Sequence, residues 1–430
     1  MTEILSVAFA LIFGLLFTRV TNKLKLPDVT AYLISGVLIG PYCLGALGIE
    51  GLGFTSAHSL EVLGFIANVA LGFIAFAIGD EFRIENLKKT GKQAVIVAIC
   101  EALCAVLVTF IALFVLYLII GGEKFPLEVV ITLSAIAAAT APAATLMVVK
   151  QYKAKGNVTS LLLPVVALDD AVCLIAFAVC FGIAKAISGG TINLLSIVLE
   201  PILEIVLSLI MGAVLGFLLT QLEKLFHSNR NRTSLIIGFV LGTVGLSMLK
   251  FEVAGIHIGF SSLLVCMMLG SVFCNTCPLS EDLMVRSDKW TAPLIALFFI
   301  LSGAELQLDV ITDLTVIGIG LVYIIFRCVG KYLGAFGSCV ATKASPEVKK
   351  YLGITLFPQA GVALGMCVTA ATLGESGSMV RNIVLFGVLI YEMFGPLMTK
   401  IALTKSGDIK HDEAISRREI LLAQKGAENK

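Results

Sequence analysis

Residues 161–177 read LLLPVVALDDAVCLIAF, and all of them except Asp169 and Asp170 are apolar. The apolar run extends, with few interruptions, from Val158 to Ile187. A soluble core does not readily hold two adjacent carboxylates in such a neighbourhood, and a bilayer tolerates them less. A charged side chain at the bilayer centre costs at least about 2.5 kcal/mol, so intramembrane acids mark ion or proton paths. Neighbouring residues on a helix point about 100° apart, so the two carboxylates cannot face one partner. One can pair with a base inside the bundle while the other lines a water-filled cavity.

The remainder of the 430 residues fits a membrane as well. Hydrophobic residues make up 58% and charged residues 14%, where soluble domains carry about 25% charged; mean hydropathy is +0.99. Stretches of roughly 20 apolar residues, long enough to cross a bilayer as helix, recur from end to end. The runs predict helices over 4–20, 29–47, 59–79, 93–120, 127–149, 158–185, 194–220, 233–250, 257–275, 290–304, 312–341, 349–373 and 381–403. The expected fold class is therefore an all-α polytopic membrane protein with about 13 transmembrane helices. Glu3, with no basic residue before it, makes the N-terminus a first spanning helix rather than a cleaved signal. The eleven cysteines lie mostly inside apolar segments, and the Cys274–Cys277 pair lacks the further ligands a zinc site needs. No structural metal, cofactor or nucleic-acid partner is expected. No Ser/His or His-rich constellation shares one depth, so the chain does not read as an enzyme.

Basic residues divide unevenly between the two sides. Loops after odd-numbered helices, with the C-terminal tail, hold 25 of them, and loops after even-numbered helices hold 4. The positive-inside rule then places the N-terminus outside and the C-terminus in the cytoplasm, with an odd number of crossings. Two bases remain, Arg327 and Lys331, inside the eleventh helix. Being four apart, they share one face. Lys331 lies roughly 15 Å from the cytoplasmic end of its helix, and Asp169 lies at a similar depth. A buried lysine and a buried aspartate at one level lower each other's burial cost.

Two helices look interrupted. The fifth contains Ala139-Thr140-Ala141-Pro142-Ala143-Ala144-Thr145, and the twelfth Phe357-Pro358-Gln359-Ala360-Gly361-Val362-Ala363. Mid-helix proline removes a backbone hydrogen bond and clashes with the preceding turn, and the small residues beside it permit unwinding. Fifth and twelfth are equivalent slots if two six-helix units flank a linking seventh helix, which inverts the second unit relative to the first. Broken helices in matching positions of two halves point to a transport site. Glu101 in the fourth helix and Glu392 in the thirteenth also fall near mid-depth. A structural hydrogen bond is expected of Glu101, whereas Glu392 occupies the slot that the Asp pair holds in the first half. In the tail, Asp412 to Gln424 reads as a surface helix.

These residues resemble the CPA2 group of monovalent cation/proton antiporters, particularly the NapA-type sodium/proton exchangers. The marks are Leu168-Asp169-Asp170, the Thr140-Ala141-Pro142 and Pro358-Gln359-Ala360-Gly361 breaks, and, more softly, Phe299–Leu306 and Gly330-Lys331-Tyr332-Leu333-Gly334. The resemblance spans about residues 5–403 and implies a NhaA/NapA-like fold of two inverted repeats. Its implied parts are dimer-domain helices in 1–92 and 223–310, transport-core helices in 93–190 and 311–404, a linker over 191–222 and a tail from 405. It further implies a homodimer in a bacterial plasma membrane, working as an elevator. Asp170 would carry cation or proton, Asp169 would pair with Lys331, and Thr140 would help coordinate the cation. A second aspartate accompanies electrogenic exchange of two protons per sodium in this group. Related electroneutral exchangers use arginine near this level, which leaves Arg327 open as the base for Asp169. The 430 residues hold no nucleotide-binding domain such as follows many potassium-efflux relatives, so Na+ or Li+ is expected ahead of K+, and ahead of organic-anion/sodium symport on a similar fold.

Overall fold

Fifteen α-helices account for nearly all regular structure among the described residues. The computed structural model describes the chain except residues 1, 25, 50, 56, 189–193, 250, 254–255, 307–313 and 410–430. The first half holds α1 (Thr2–Lys23), α2 (Asp28–Ile39), α3 (Ala57–Gly79), α4 (Ile84–Ile120), α5 (Leu127–Ile136), α6 (Pro142–Gln151) and α7 (Asn157–Ile187). After α8 (Leu194–Glu223) come α9 (Asn229–Ser247), α10 (Ser262–Thr276), α11 (Ser280–Ala304), α12 (Leu314–Ala341), α13 (Pro346–Thr355), α14 (Gly361–Ala370) and α15 (Glu375–Lys405). Among the described residues, eight helices are long and apolar enough to cross a membrane. The tail helix expected over 412–424 lies outside the described residues.

α4 shows why lipid is the solvent. Leu103, Leu107, Ile111, Val115 and Leu118 form a stripe, each at least half exposed, while Glu101 and Thr109 on the inner side are fully buried. Apolar outside and polar inside reverses the order of a soluble helix, as hydrocarbon around the molecule requires.

α2 ends at Ile39 rather than 47 and α15 begins at Glu375 rather than 381, and three further boundaries differ from expectation. α4 begins at Ile84 rather than 93, and α11 at Ser280 rather than 290. Hydropathy stops at the first charges, but Leu, Lys, Glu and Arg are good helix formers and carry both helices on into the aqueous layer. The third difference is a hairpin: Phe251–Val253 (β1) pairs antiparallel with Ile256–Ile258 (β2), where a helix was expected from 257. β-Branched Val253, Ile256 and Ile258, bounded by Gly255 and Gly259, favour strand over helix.

The apolar interior falls into distinct clusters. One is shared by α4, α5, α7, α12, α14 and α15 through residues such as Leu133, Phe177, Tyr323 and Val384. Another joins α3, α8, α9, α10 and α11 through Phe76, Leu219, Val240 and Phe273. At one end, Asp408 fastens the chain beyond α15 to the start of α7. Its Oδ2 accepts from the Thr159 amide at 2.7 Å and from the Thr159 hydroxyl at 2.8 Å, and the Lys155 amide donates to its carbonyl at 2.9 Å. A carboxylate on the first turn's amides complements the helix dipole. A β-carbon on Gly156 would crowd Asp408 Oδ1, so the glycine leaves the carboxylate room to sit there.

Candidate functional site

The site begins with the two breaks. Pro142 starts α6 as its first residue and leaves Ala141 extended, at φ −97° and ψ 100°. Pro358 likewise interrupts the segment between α13 and α14. Proline alone does not explain the unwinding, since Pro164, Pro293 and Pro396 sit inside unbroken helices. What differs is the fate of the freed carbonyls, several of which find a donor. The Ala141 amide donates to the Pro358 carbonyl at 2.9 Å, joining the two breaks directly. Gln359 Nε2 donates to the Ile136 carbonyl at 2.9 Å and is also bonded to the Tyr323 hydroxyl. Arg327 donates from Nε to the Ala137 carbonyl at 3.1 Å, from Nη1 to that of Phe357 at 2.7 Å, and from Nη2 to that of Ala139. Its guanidinium also stacks over Tyr391, 4.4 Å from the ring centroid, an arrangement favourable to a cation. Irregular backbone at membrane depth persists where such partners satisfy it. Gly361 opens α14 with free space at its β-carbon position, so the break does not depend on close approach there.

One helical turn from Arg327, Lys331 serves a different set of acceptors. Its Nζ lies 3.0 Å from Asp169 Oδ2 and 2.8 Å from Glu101 Oε2, with all three side chains fully buried. It also donates to the Thr140 hydroxyl at 2.9 Å. Of the two bases left open for Asp169, Lys331 is the one beside it, and Arg327 is committed to the crossing. Glu101, expected to make a structural hydrogen bond, is instead an ion-pair partner of Lys331. Asp170 is 2% exposed, and neither of its carboxylate oxygens accepts a hydrogen bond from a described residue. Asp169 Oδ1 and both Glu101 oxygens are also outside hydrogen-bond geometry. Buried acceptors left in this condition are rare and ask for a functional cause. Three carboxylates and one ammonium therefore share a buried site, an arrangement suited to holding a small cation or protons in competition.

Glu392 does not join this group. It is buried on α15 with Oε2 unpartnered among the described residues, and the charge acting on it is that of Glu305, just past the end of α11. A cavity of about 830 Å³ opens elsewhere, against Met147, Lys150, Lys155, Asp288, Ile295 and Asp408, and is not lined by Glu101, Asp169 or Asp170.

The model of the transmembrane sodium/hydrogen exchanger family matches residues 7–405. The chain belongs to that family. Among curated relatives of this exchanger, the K(+)/H(+) antiporter subunit KhtU of Bacillus subtilis is 24% identical over 406 residues, 92% of this chain and 93% of its own. Cation/H(+) antiporter 19 of Arabidopsis thaliana is 25% identical over 342 residues, 79% of this chain. The aligned part is 42% of that plant protein's length. In fold, this exchanger resembles the sodium proton antiporter MjNhaP1 of Methanocaldococcus jannaschii, with a TM-score of 0.66 at 19% identity, covering 95% of this chain and 97% of the other. That family is one of cation/proton antiporters, integral membrane transporters rather than enzymes.

Proposed function

We propose that this chain exchanges a monovalent cation, Na+ or Li+, for protons by alternating access at Asp170. The observation that carries it is a buried carboxylate to which no described residue donates a hydrogen bond, next in sequence to Asp169 of the Asp169–Lys331–Glu101 cluster. One carboxylate can hold a proton or help dehydrate a cation, but not both at once, and that exclusion couples the two fluxes. Asp169 and Thr140 supply further oxygens to the cation. Lys331 compensates their charge, and Arg327 with Ala141, Pro142, Pro358, Gln359 and Gly361 forms the scaffold that fixes the crossing.

In this reading α5 with α6, and α13 with α14, each make one discontinuous crossing of thirteen, in two inverted six-helix repeats joined by α8. The core of α4–α7 and α12–α15 moves as an elevator against α1–α3 and α9–α11, which form a homodimer. The 25-to-4 distribution of basic residues supports an N-terminus outside and a cytoplasmic C-terminus. The Bacillus relative supports a bacterial plasma membrane, and its K(+)/H(+) description favours potassium as the second reading.

The test is purified protein in liposomes holding a pH-sensitive dye, with sodium, lithium and potassium added in turn to a preset proton gradient. Dequenching by sodium or lithium, lost in Asp170→Asn, is expected; a response to potassium alone moves the assignment to K+/H+ exchange. If two protons move per cation, a clamped potential shifts the reversal point, since each net charge is worth about 2.3 kcal/mol per 100 mV.

A further inference from the structure

Lys331 has two carboxylate partners, and they are held in different ways. Glu101 reaches it across the α4–α12 seam, which closes on glycines either side of the lysine. A β-carbon on Gly334 would lie 2.6 Å from Glu101 Cα, and one on Gly330 would lie 2.7 Å from Ala105 Cα. Farther along, Gln93 Nε2 donates to the Thr342 hydroxyl at 3.1 Å. Gln93 with Thr342, Glu101 with Gly334 and Ala105 with Gly330 belong to one antiparallel register, maintained over roughly 18 Å of helix. Neither helix can slide there without driving backbone into backbone. The Glu101–Lys331 contact of 2.8 Å is thus fixed by main-chain packing.

Asp169 is held differently. It comes from α7, five residues after Pro164, where the helix lacks the amide that would bond to the Ser160 carbonyl. Its tie to Lys331 is one side-chain contact at 3.0 Å. If Asp169 were the sole partner, each turn of Asp169 toward a cation would leave a buried ammonium uncompensated, which is strongly unfavourable.

We propose that Glu101 is the standing counter-ion of Lys331, a positioning residue that keeps the ammonium in place when Asp169 turns to the cation. Glu101 acts through Lys331 and does not touch the cation. The groups facing it are Asp169 and Cys173 from α7 and Lys331 from α12, with Cys104 on its own helix. The glycine-flanked lysine motif thereby acquires a purpose: it sets the distance of the permanent pair so that the other pair can open.

The proposal rests on the exchange function above, and its test uses the full-length protein with whichever of sodium, lithium or potassium the wild type transports. In E101Q the ammonium depends on Asp169 alone and pins it, so the cation KM rises about tenfold, a coupling of ordinary size between neighbouring groups. In E101Q/K331M nothing pins Asp169, and KM falls back toward wild type. Cation-dependent thermal stabilisation of the purified variants reports the same order if transport is too slow to measure. A Glu101 that merely supports the fold would leave the double variant at least as impaired as E101Q, which overturns the proposal. So does a KM in E101Q within twofold of wild type. Should E101Q fail to fold, E101D must show a rise in the same direction, and no rise is equally decisive. Wild-type protein with neither cation-driven proton movement nor cation-dependent stabilisation instead refutes the function.

Discussion

Arg327 and Lys331 are both buried, lie on one face of α12 and are separated by one turn, yet they meet opposite kinds of acceptor. Around Arg327 are backbone carbonyls, which never ionise and do not leave. Around Lys331 are two carboxylates and a hydroxyl, whose charge and company can change. The side chains suit these neighbourhoods. Guanidinium is planar and always charged, and its rigid fork satisfies several fixed oxygens at once; ammonium is a compact point charge on a flexible stem. In the proposed reading, one helix carries a structural cation and a working cation side by side, told apart by whether their partners can change state.

The comparison breaks most visibly at Asp170. Asp170→Asn should reduce cation-driven proton movement to background while leaving the melting temperature near wild type, because no described residue loses a hydrogen bond to it. Exchange at wild-type rate in that variant would falsify the placement of the working site on the carboxylate side.

Next in size is an asymmetry within the carboxylate cluster. Lys331→Ala leaves Glu101 and Asp169 facing each other without a cation, a loss on the order of 3–5 kcal/mol. Asp169→Asn leaves Lys331 still paired with Glu101, so its loss should be under half as large. Melting temperatures in detergent decide it, and equal losses would show that Glu101 does not compensate the ammonium.

On the carbonyl side, Arg327→Lys cannot reproduce a three-carbonyl fork. With at least one buried carbonyl orphaned, about 1–3 kcal/mol of stability should go, while the cation KM stays within twofold of wild type. A rise in KM larger than the thermal loss would move Arg327 into the working set.

The smallest effect belongs to Lys150 and Asp288, an ion pair at 2.7 Å whose side chains are 33% and 42% exposed. Asp288→Asn should shift stability by less than about 1 kcal/mol. A shift as large as that of Arg327→Lys would mean that burial is not what separates strong pairs from weak ones in this molecule.

The centre of the site is legible in the sequence because lipid makes polarity conspicuous. Asp169, Asp170, Arg327 and Lys331 stand out against apolar runs, and Pro142 and Pro358 announce the breaks. Partner choice is less legible. Spacing puts Arg327 and Lys331 on one face, but only three-dimensional packing shows that the crossing's carbonyls claim the arginine. The pairing of Glu101 with Lys331 is not legible from spacing, although Gly330 and Gly334 flanking Lys331 signal a backbone pressed against that turn. Asp408 was missed because a lone acid after a helix end has no signature until its partner, the Thr159 amide, is brought beside it by the fold. The hairpin at 251–258 escaped because apolar residues over a few positions satisfy strand and helix patterns alike.

Asp408 also turns the chain's departure from α15 into a mechanical linkage. Its amide and that of Ile409 close on the Leu403 carbonyl, and its carboxylate grips the opening turn of α7. That turn lies only about 15 Å along the helix from Asp169. Up to Ile409, the chain leaving α15 is therefore coupled by hydrogen bonds to the rod that carries the two aspartates.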